Sequence, residues 1–231
     1  MGSYQGTFLR IYERKLALVT GSARSKSDIG SSDIPYSLSS RYRSRNSPEL
    51  ASKGCDVFIN YATEASDASA VVLAANLEKE YSVGALPIRA DITSAKEHFT
   101  DSQTGSFQIN IIVHNAAVLY LGPLESVIES EFHRIYELNV LGPILLTGVW
   151  CCELAERATV NSINPGPVMT DMYMSAPDAV KKELALWNPL TPLGAVRKTD
   201  SPEVKELGKK FGGRAAYAEE IAGLVATICN H

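Results

Sequence analysis

The sequence predicts an α/β protein built on a doubly wound parallel sheet, and three observations carry that expectation. Short unbroken apolar runs, LALVT (16–20), CDVFINY (55–61) and INIIVHNAA (109–117), have the length and composition of strands buried on both faces. Text of helical period alternates with them, as in EASDASAVVLAANLEKEYS (64–82), where Ala70, Leu73, Ala74, Leu77 and Tyr81 fall on one side. Glycines punctuate the runs: Gly21 closes the first, and Gly54 is placed as a helix C-cap before the second. At 231 residues the chain suits one domain.

The remaining elements follow in order. ALPIRAD (85–91) is a third strand and INIIVHNAA the fourth and most apolar. A long helix over roughly 125–147 holds ESEFHRIYELNVLGPILLT, ATVNSINPG (158–166) is a fifth strand candidate, and AEEIAGLVATIC (218–229) a closing helix. Two places break the rhythm. Residues 22–47, SARSKSDIGSSDIPYSLSSRYRSRNS, are rich in Ser and Arg and have no helical period, so they read as a disordered insertion. Parallel strands one and two need a crossover helix in that interval, and only PELASK looks like its tail. At TGVWCCE (147–153) one helix runs into another with no strand between.

Composition narrows the function classes. A formal net charge of −4 gives no electrostatic reason to expect nucleic acid or an anionic membrane as partner, and the basic RYRSRNS (41–47) has no aromatic stacking platform beside it. Cys55, Cys151, Cys152 and Cys229 form no CxxC pair, and His98, His114, His133 and His231 are scattered, so no metal site is expected. The N-terminal MGSYQGTFLRIYERK lacks the apolar core of a secretory signal, and no apolar stretch reaches the roughly 18 residues of a membrane span. The expected compartment is the cytoplasm.

Six segments in order then become specific: LALVTGSAR, NY after strand two, ADIT after strand three, HNAA after strand four, LNV in the long helix, and INPGPVMTDM. Together they resemble the short-chain dehydrogenase/reductase family, from about residue 14 to the C-terminus with interruptions. The NPGPVMTDM and NPLTPLG stretches are most similar to fungal reductases of polyketide ketones and to 3-oxoacyl reductases. The resemblance implies a Rossmann-like sheet, an NADP(H) cofactor and a small-molecule carbonyl substrate, with homo-oligomers common.

Site residues follow from the same resemblance. Thr20, Gly21, Ser22, Arg24 and Gly30 fall in the nucleotide loop, and Asn60 and Tyr61 at the end of strand two. Asp91 and Ile92 would meet adenine, Asn115, Ala116 and Ala117 the ribose side, and Pro165, Gly166 and Thr170 the nicotinamide and phosphates. Asn139 matches the one catalytic position that survives. Plain structural roles stand beside these: a cap from Asp91, Thr93 or Thr170, and a tight turn at 115–117. The end of strand two has no carboxylate before Glu64, and Arg24 matches a basic family position, which suits the 2′-phosphate of NADP(H). Arg24 also reads as a solvated loop charge.

Several family features are missing. The loop keeps Thr20-Gly21, but Ser25 stands at the middle glycine and Ile29-Gly30 is displaced by three residues, so weak or absent cofactor binding is expected. The family's chemistry uses a Tyr whose proton transfer is aided by a Lys one helical turn later. None of the ten tyrosines here has a Lys four residues on; Tyr12, with Lys15, comes nearest and precedes the first strand. Only 26 residues separate Asn139 from Pro165, where a βαβ unit alone takes about 30 or more. Strand five and most of the Tyr/Lys helix are therefore expected to be absent, and, with His231 following directly on the closing helix, so is the family's final strand. Three readings follow: a carbonyl reductase by descent with impaired or no activity, a non-catalytic nucleotide-binding or interaction protein, and a mis-spliced or truncated product of a reductase gene.

Overall fold

The computed structural model describes residues 10–23, 45–94, 109–118, 124–147, 158–170, 173–174 and 176–229. The contacts gather into two compact units, one mainly of residues 46–160 with the N-terminal segment and the last residues, the other mainly of 161–225.

The first unit is built on a four-stranded parallel sheet in the order β3-β2-β1-β4, comprising β1 (Leu16–Val19), β2 (Asp56–Tyr61), β3 (Ala85–Arg89) and β4 (Ile111–Val113). Parallel strands need crossovers, and α1 (Asn46–Ser52) and α2 (Asp67–Tyr81) supply two of them. The helical face read from the sequence is the buried one: Ala70, Ala74 and Leu77 are buried, and Leu73 and Tyr81 pack against the same core. They meet Ala17, Val19, Val57, Ile59 and Ile111 on one face of the sheet, together with Leu50 and Ala51 of α1. Gly54, at φ +88°, makes the left-handed turn that ends α1, and its N–H bonds Ala51 O at 2.8 Å.

The other face of the sheet is only half covered. Register places Leu86, Phe58, Leu18 and Ile112 in one row across it. Exposure runs 52%, 7%, 0% and 37% along that row, so the central strands are buried while both outer ones show apolar surface. Among the described residues β4 has no partner beyond β1.

The long helix is present in three pieces: α3 (Glu129–Tyr136), a π-helical turn (Glu137–Leu141) and α4 (Gly142–Thr147). Ile128, Phe132, Tyr136, Val140 and Ile144, four residues apart, are all exposed. With Ile112 of β4, they leave apolar side chains open on the first unit.

The sequence places a fifth strand at 158–166, and the structure corrects this, since those residues have no strand pairing. The stretch is interrupted by Asn161, Ser162 and Asn164, and Pro165 offers no N–H to a ladder. In the second unit the short β5 (Val168–Met169) instead pairs in parallel with β6 (Ala216–Tyr217). Around them lie α5 (Asp178–Ala185), α6 (Pro202–Lys210) and α7 (Ala218–Ile228), the last matching the predicted closing helix. Met169, Val204 and Ala215 form the apolar centre, with Tyr173, Met174 and Tyr217 against it.

A buried ionic network fixes the same unit. The Arg214 side chain is 0% exposed and forks onto Glu220 at 2.8 and 2.9 Å, with Asp200 at 3.3 Å on its other side. Arg197 adds a second cation on Glu220 at 2.6 Å, and Tyr217 bonds Glu220 through its N–H and Asp200 through its hydroxyl.

Of the insertion read at 22–47, residues 24–44 lie outside the described residues. Its two ends are ordered: Ser22 and Ala23 are buried after β1, and Asn46 and Ser47 begin α1.

Candidate functional site

The C-terminal ends of the four parallel strands converge, and their side chains interlock. After β1, Thr20 is fully buried, and its Oγ1 accepts the N–H groups of Asn115 and Ala116 at 3.0 and 2.9 Å. Gly21 follows in the left-handed region at φ +59°, a conformation that suits glycine. Its N–H points to Asn60 Oδ1 at 3.3 Å. At the end of β2, Asn60 in turn donates through Nδ2 to Ala90 O at 2.9 Å and Ile88 O at 3.5 Å, while its own carbonyl accepts Ser22 N–H at 3.1 Å. One carboxamide therefore ties three strand ends together.

Asn115, after β4, closes the set. Its Nδ2 donates to Thr20 O at 2.9 Å and Gly21 O at 3.4 Å, and its Oδ1 accepts Asn46 Nδ2 at 3.2 Å. Asn46 was read from sequence as the edge of an insertion. Nothing in the serine-rich text around it marked it as a partner, because the contact is made 69 residues away. Beside it, the buried Ser47 hydroxyl has no hydrogen-bond partner.

After β3, Asp91 Oδ1 accepts both the N–H and the hydroxyl of Thr93, at 2.9 and 2.8 Å, closing a local turn. Ile92 is buried, against Gly142. Tyr61 is buried too. Its phenol is pushed above its ordinary value by burial, by a hydrogen bond to Asp67 and by that carboxylate's charge. In the β2–β3 register Tyr61 lies opposite Arg89, whose guanidinium is 3.5 Å from Asp67 and 3.9 Å from Glu64.

Asn139 sits within the π-helical turn, and its carboxamide pairs with the backbone of Val118, accepting its N–H at 2.9 Å and donating to its carbonyl at 2.8 Å. A π-turn re-aims side chains within a helix and recurs at functional sites. Here it turns Asn139 onto the segment after β4. Ala117, in that same segment, is exposed.

Pro165, Gly166 and Thr170 belong to the second unit. Pro165 and Gly166 are exposed. Thr170 Oγ1 accepts Tyr173 N–H at 3.5 Å and its carbonyl accepts Met174 N–H at 2.9 Å, the geometry of a local cap. Arg24 and Gly30 lie outside the described residues. The structure thus brings Thr20, Gly21, Ser22, Asn60, Asn115 and Ala116 into one network.

One Tyr and one Lys meet in the second unit, without the geometry of an acid–base pair. Lys181 Nζ lies 5.9 Å from the centre of the Tyr173 ring and donates to Met174 O at 2.8 Å. Burial raises the Tyr173 phenol and lowers the Lys181 ammonium. A general acid for neutral pH needs the opposite change in the phenol.

The strand-end residues fit the adenosine half of a dinucleotide. A glycine with positive φ lets backbone approach, Ala116 and Ala117 keep the surface small, the end of β2 is neutral, and Ser47 offers an unused hydroxyl. Among the described residues no cluster of His, Cys, Asp or Glu could hold a metal, and no helix is long and apolar enough to cross a membrane.

The model of the short chain dehydrogenase family matches residues 45–158, the stretch holding β2, β3, β4 and the long helix. The chain is 30% identical to the "Probable tetrahydroxynaphthalene reductase" of Zymoseptoria tritici, over 69% of this chain and 70% of that one. The chain belongs to the short-chain dehydrogenase/reductase family. It is an oxidoreductase by family. It is also 29% identical to L-xylulose reductase of Aspergillus niger, covering 95% of this chain and 92% of that protein. That alignment spans 294 positions against 231 residues here, so at least 63 of them (294 less 231) face no residue of this chain. Among solved structures, L-sorbose reductase from Gluconobacter frateurii, complexed with NADPH and L-sorbose, superposes with a TM-score of 0.60 at 16% identity, over 94% of this chain and 91% of that one.

Proposed function

We propose that this chain is an NADP(H)-binding carbonyl reductase by descent, of reduced or no catalytic power. The single observation that carries the cofactor half of this reading is the interlocked strand ends: Asn60 and Asn115 hold the Gly21 turn, and small residues line its far side. The bound nicotinamide would supply the hydride, leaving the protein to orient substrate and provide a proton. Thr20, Gly21, Asn60, Tyr61 and Asn115 would shape the adenosine side, with Asn139 keeping the segment after β4 in place. No Tyr-x-x-x-Lys pair exists in the sequence to donate the proton.

The relatives named above reduce, by name, L-xylulose and a tetrahydroxynaphthalene, and the structural neighbour holds L-sorbose. They support a small ketone, a polyhydroxy ketone or a polyketide, as substrate. The same reading places the protein in the cytoplasm and leaves room for a homo-oligomer.

The test is NADPH titration followed by fluorescence, with turnover of L-xylulose and of a hydroxylated naphthoquinone measured on the same preparation. Saturable binding with turnover depressed by about 10²–10⁴-fold, the usual loss on removing a general acid, supports the reading. Absence of binding overturns it.

A second reading has its own observations. The unmatched alignment positions, the short interval from Asn139 to Pro165 and the half-covered sheet face together favour a mis-spliced or truncated product of a reductase gene. Sequencing the transcript across codons 24–50 and 147–151 decides it: a longer reading frame restoring strand five supports this reading, and a transcript matching the present chain removes it.

A further inference from the structure

We propose that Arg89 is the residue that sets the preference of this chain between 2′-phosphorylated and unphosphorylated dinucleotides. The inference deepens the reading above and rests on it.

The end of β2 is where an adenosine ribose meets such a sheet, and a carboxylate there selects the free 2′-hydroxyl. Here the two residues at that end are already committed. Asn60 is turned inward onto Gly21 and Ala90. Tyr61 is buried with its phenol on Asp67. The charges that face one another at this corner are Glu64, Asp67 and Arg89, with Asp91 two residues on held to Thr93, and their placement decides which ribose is accepted.

Arg89 stands directly opposite Tyr61 on the neighbouring strand. Its side chain is half-exposed, and its contacts to Asp67 and Glu64, at 3.5 and 3.9 Å, are longer than the roughly 2.7–2.9 Å of a formed charge-assisted hydrogen bond. The guanidinium therefore balances two carboxylates without being locked to either. Its planar fork of donors suits a phosphate, which it could engage by a small swing of the side chain. The N-terminus of α2, beginning at Asp67, adds positive potential at the same corner. Removing Arg89 would leave Glu64 and Asp67 unopposed, a pair that repels a phosphate and tolerates a ribose diol.

The experiment titrates the full chain with NADPH and NADH by fluorescence, and with 2′-AMP and 5′-AMP in competition. In R89L, NADPH and 2′-AMP should weaken by about tenfold or more, while NADH and 5′-AMP stay within about twofold, because only the charge-assisted bonds to phosphate are lost. R89K, which keeps the charge without the fork, should fall between, and D67N should tighten NADPH relative to NADH. A ratio of NADPH to NADH affinity unmoved by R89L and R89K overturns the proposal, whether both affinities fall together or neither does. If R89L fails to melt cooperatively, the ratio in R89K decides. A wild-type chain that binds neither dinucleotide overturns the functional reading and this one with it. Wild-type binding with an unmoved ratio overturns this one alone.

Discussion

At Asn60 a single buried side chain satisfies the N–H of Gly21 and the carbonyls of Ala90 and Ile88, all on half-buried residues. Asn60→Ala leaves those half-buried groups without their partner, at a cost of about 1 kcal/mol, readable as a lower midpoint in a urea melt. The variant should also lose nucleotide affinity, because Gly21 is no longer held. Cys55 offers a second check on the same core. Burial comes first among the causes that push its thiol up to about 12, followed by the nearby Asp56 and Cys229, and the side chain is fully enclosed. At neutral pH it should resist alkylation in the native protein and react only on unfolding, as read by peptide mapping; rapid native labelling would contradict the placement of β2. Asn60 was visible in sequence as the neutral end of a strand. Its reach to strand three was not, because register between strands, and not spacing along one, brings Ala90 beside it. The same holds for Arg89 opposite Tyr61.

Among the elements, α2 was the most legible, since the 3.6-residue period of its small and apolar residues matches the face that meets the sheet. The strand expected at 158–166 failed for a physical reason: a strand needs a neighbour to pair with, and apolar content does not reveal whether one exists. The α3 to α4 helix shows the same loss from the other side. Its exposed row Ile128, Phe132, Tyr136, Val140 and Ile144 is hydrophobic surface larger than isolated apolar residues on a soluble protein explain. Replacing Phe132 and Ile144 with Glu should change stability by no more than about 0.5 kcal/mol, as for exposed positions, while reducing binding of a hydrophobic dye and aggregation on concentration. A large loss of stability would show that this row is covered in solution.

For the whole molecule, electrostatics predict an acid limit. Burial alone would raise the Glu220 carboxyl, but the hydrogen bonds from Arg214 and from Tyr217 N–H outweigh it and hold it below the usual range. A carboxyl lowered in the folded state contributes stability that is complete above its unfolded value, about 4.3, and is lost as pH falls through the folded one. Melts of wild type should therefore weaken below about pH 4.3, and E220Q should show a flatter acid limb from a lower starting stability. Arg214→Met should cost about 3–5 kcal/mol, since it leaves the buried Asp200 without its cation and Glu220 with Arg197 alone.

The central claim is that the chain retains a nucleotide-binding sheet while lacking the acid–base pair of its family. Simultaneous measurement of NADPH binding and ketone turnover on one cooperative, folded preparation tests it most directly. The account predicts saturable NADPH binding with a turnover number at least about a hundredfold below the roughly 10 s⁻¹ typical of enzymes. Ordinary turnover, or a folded chain that binds no dinucleotide, would contradict it.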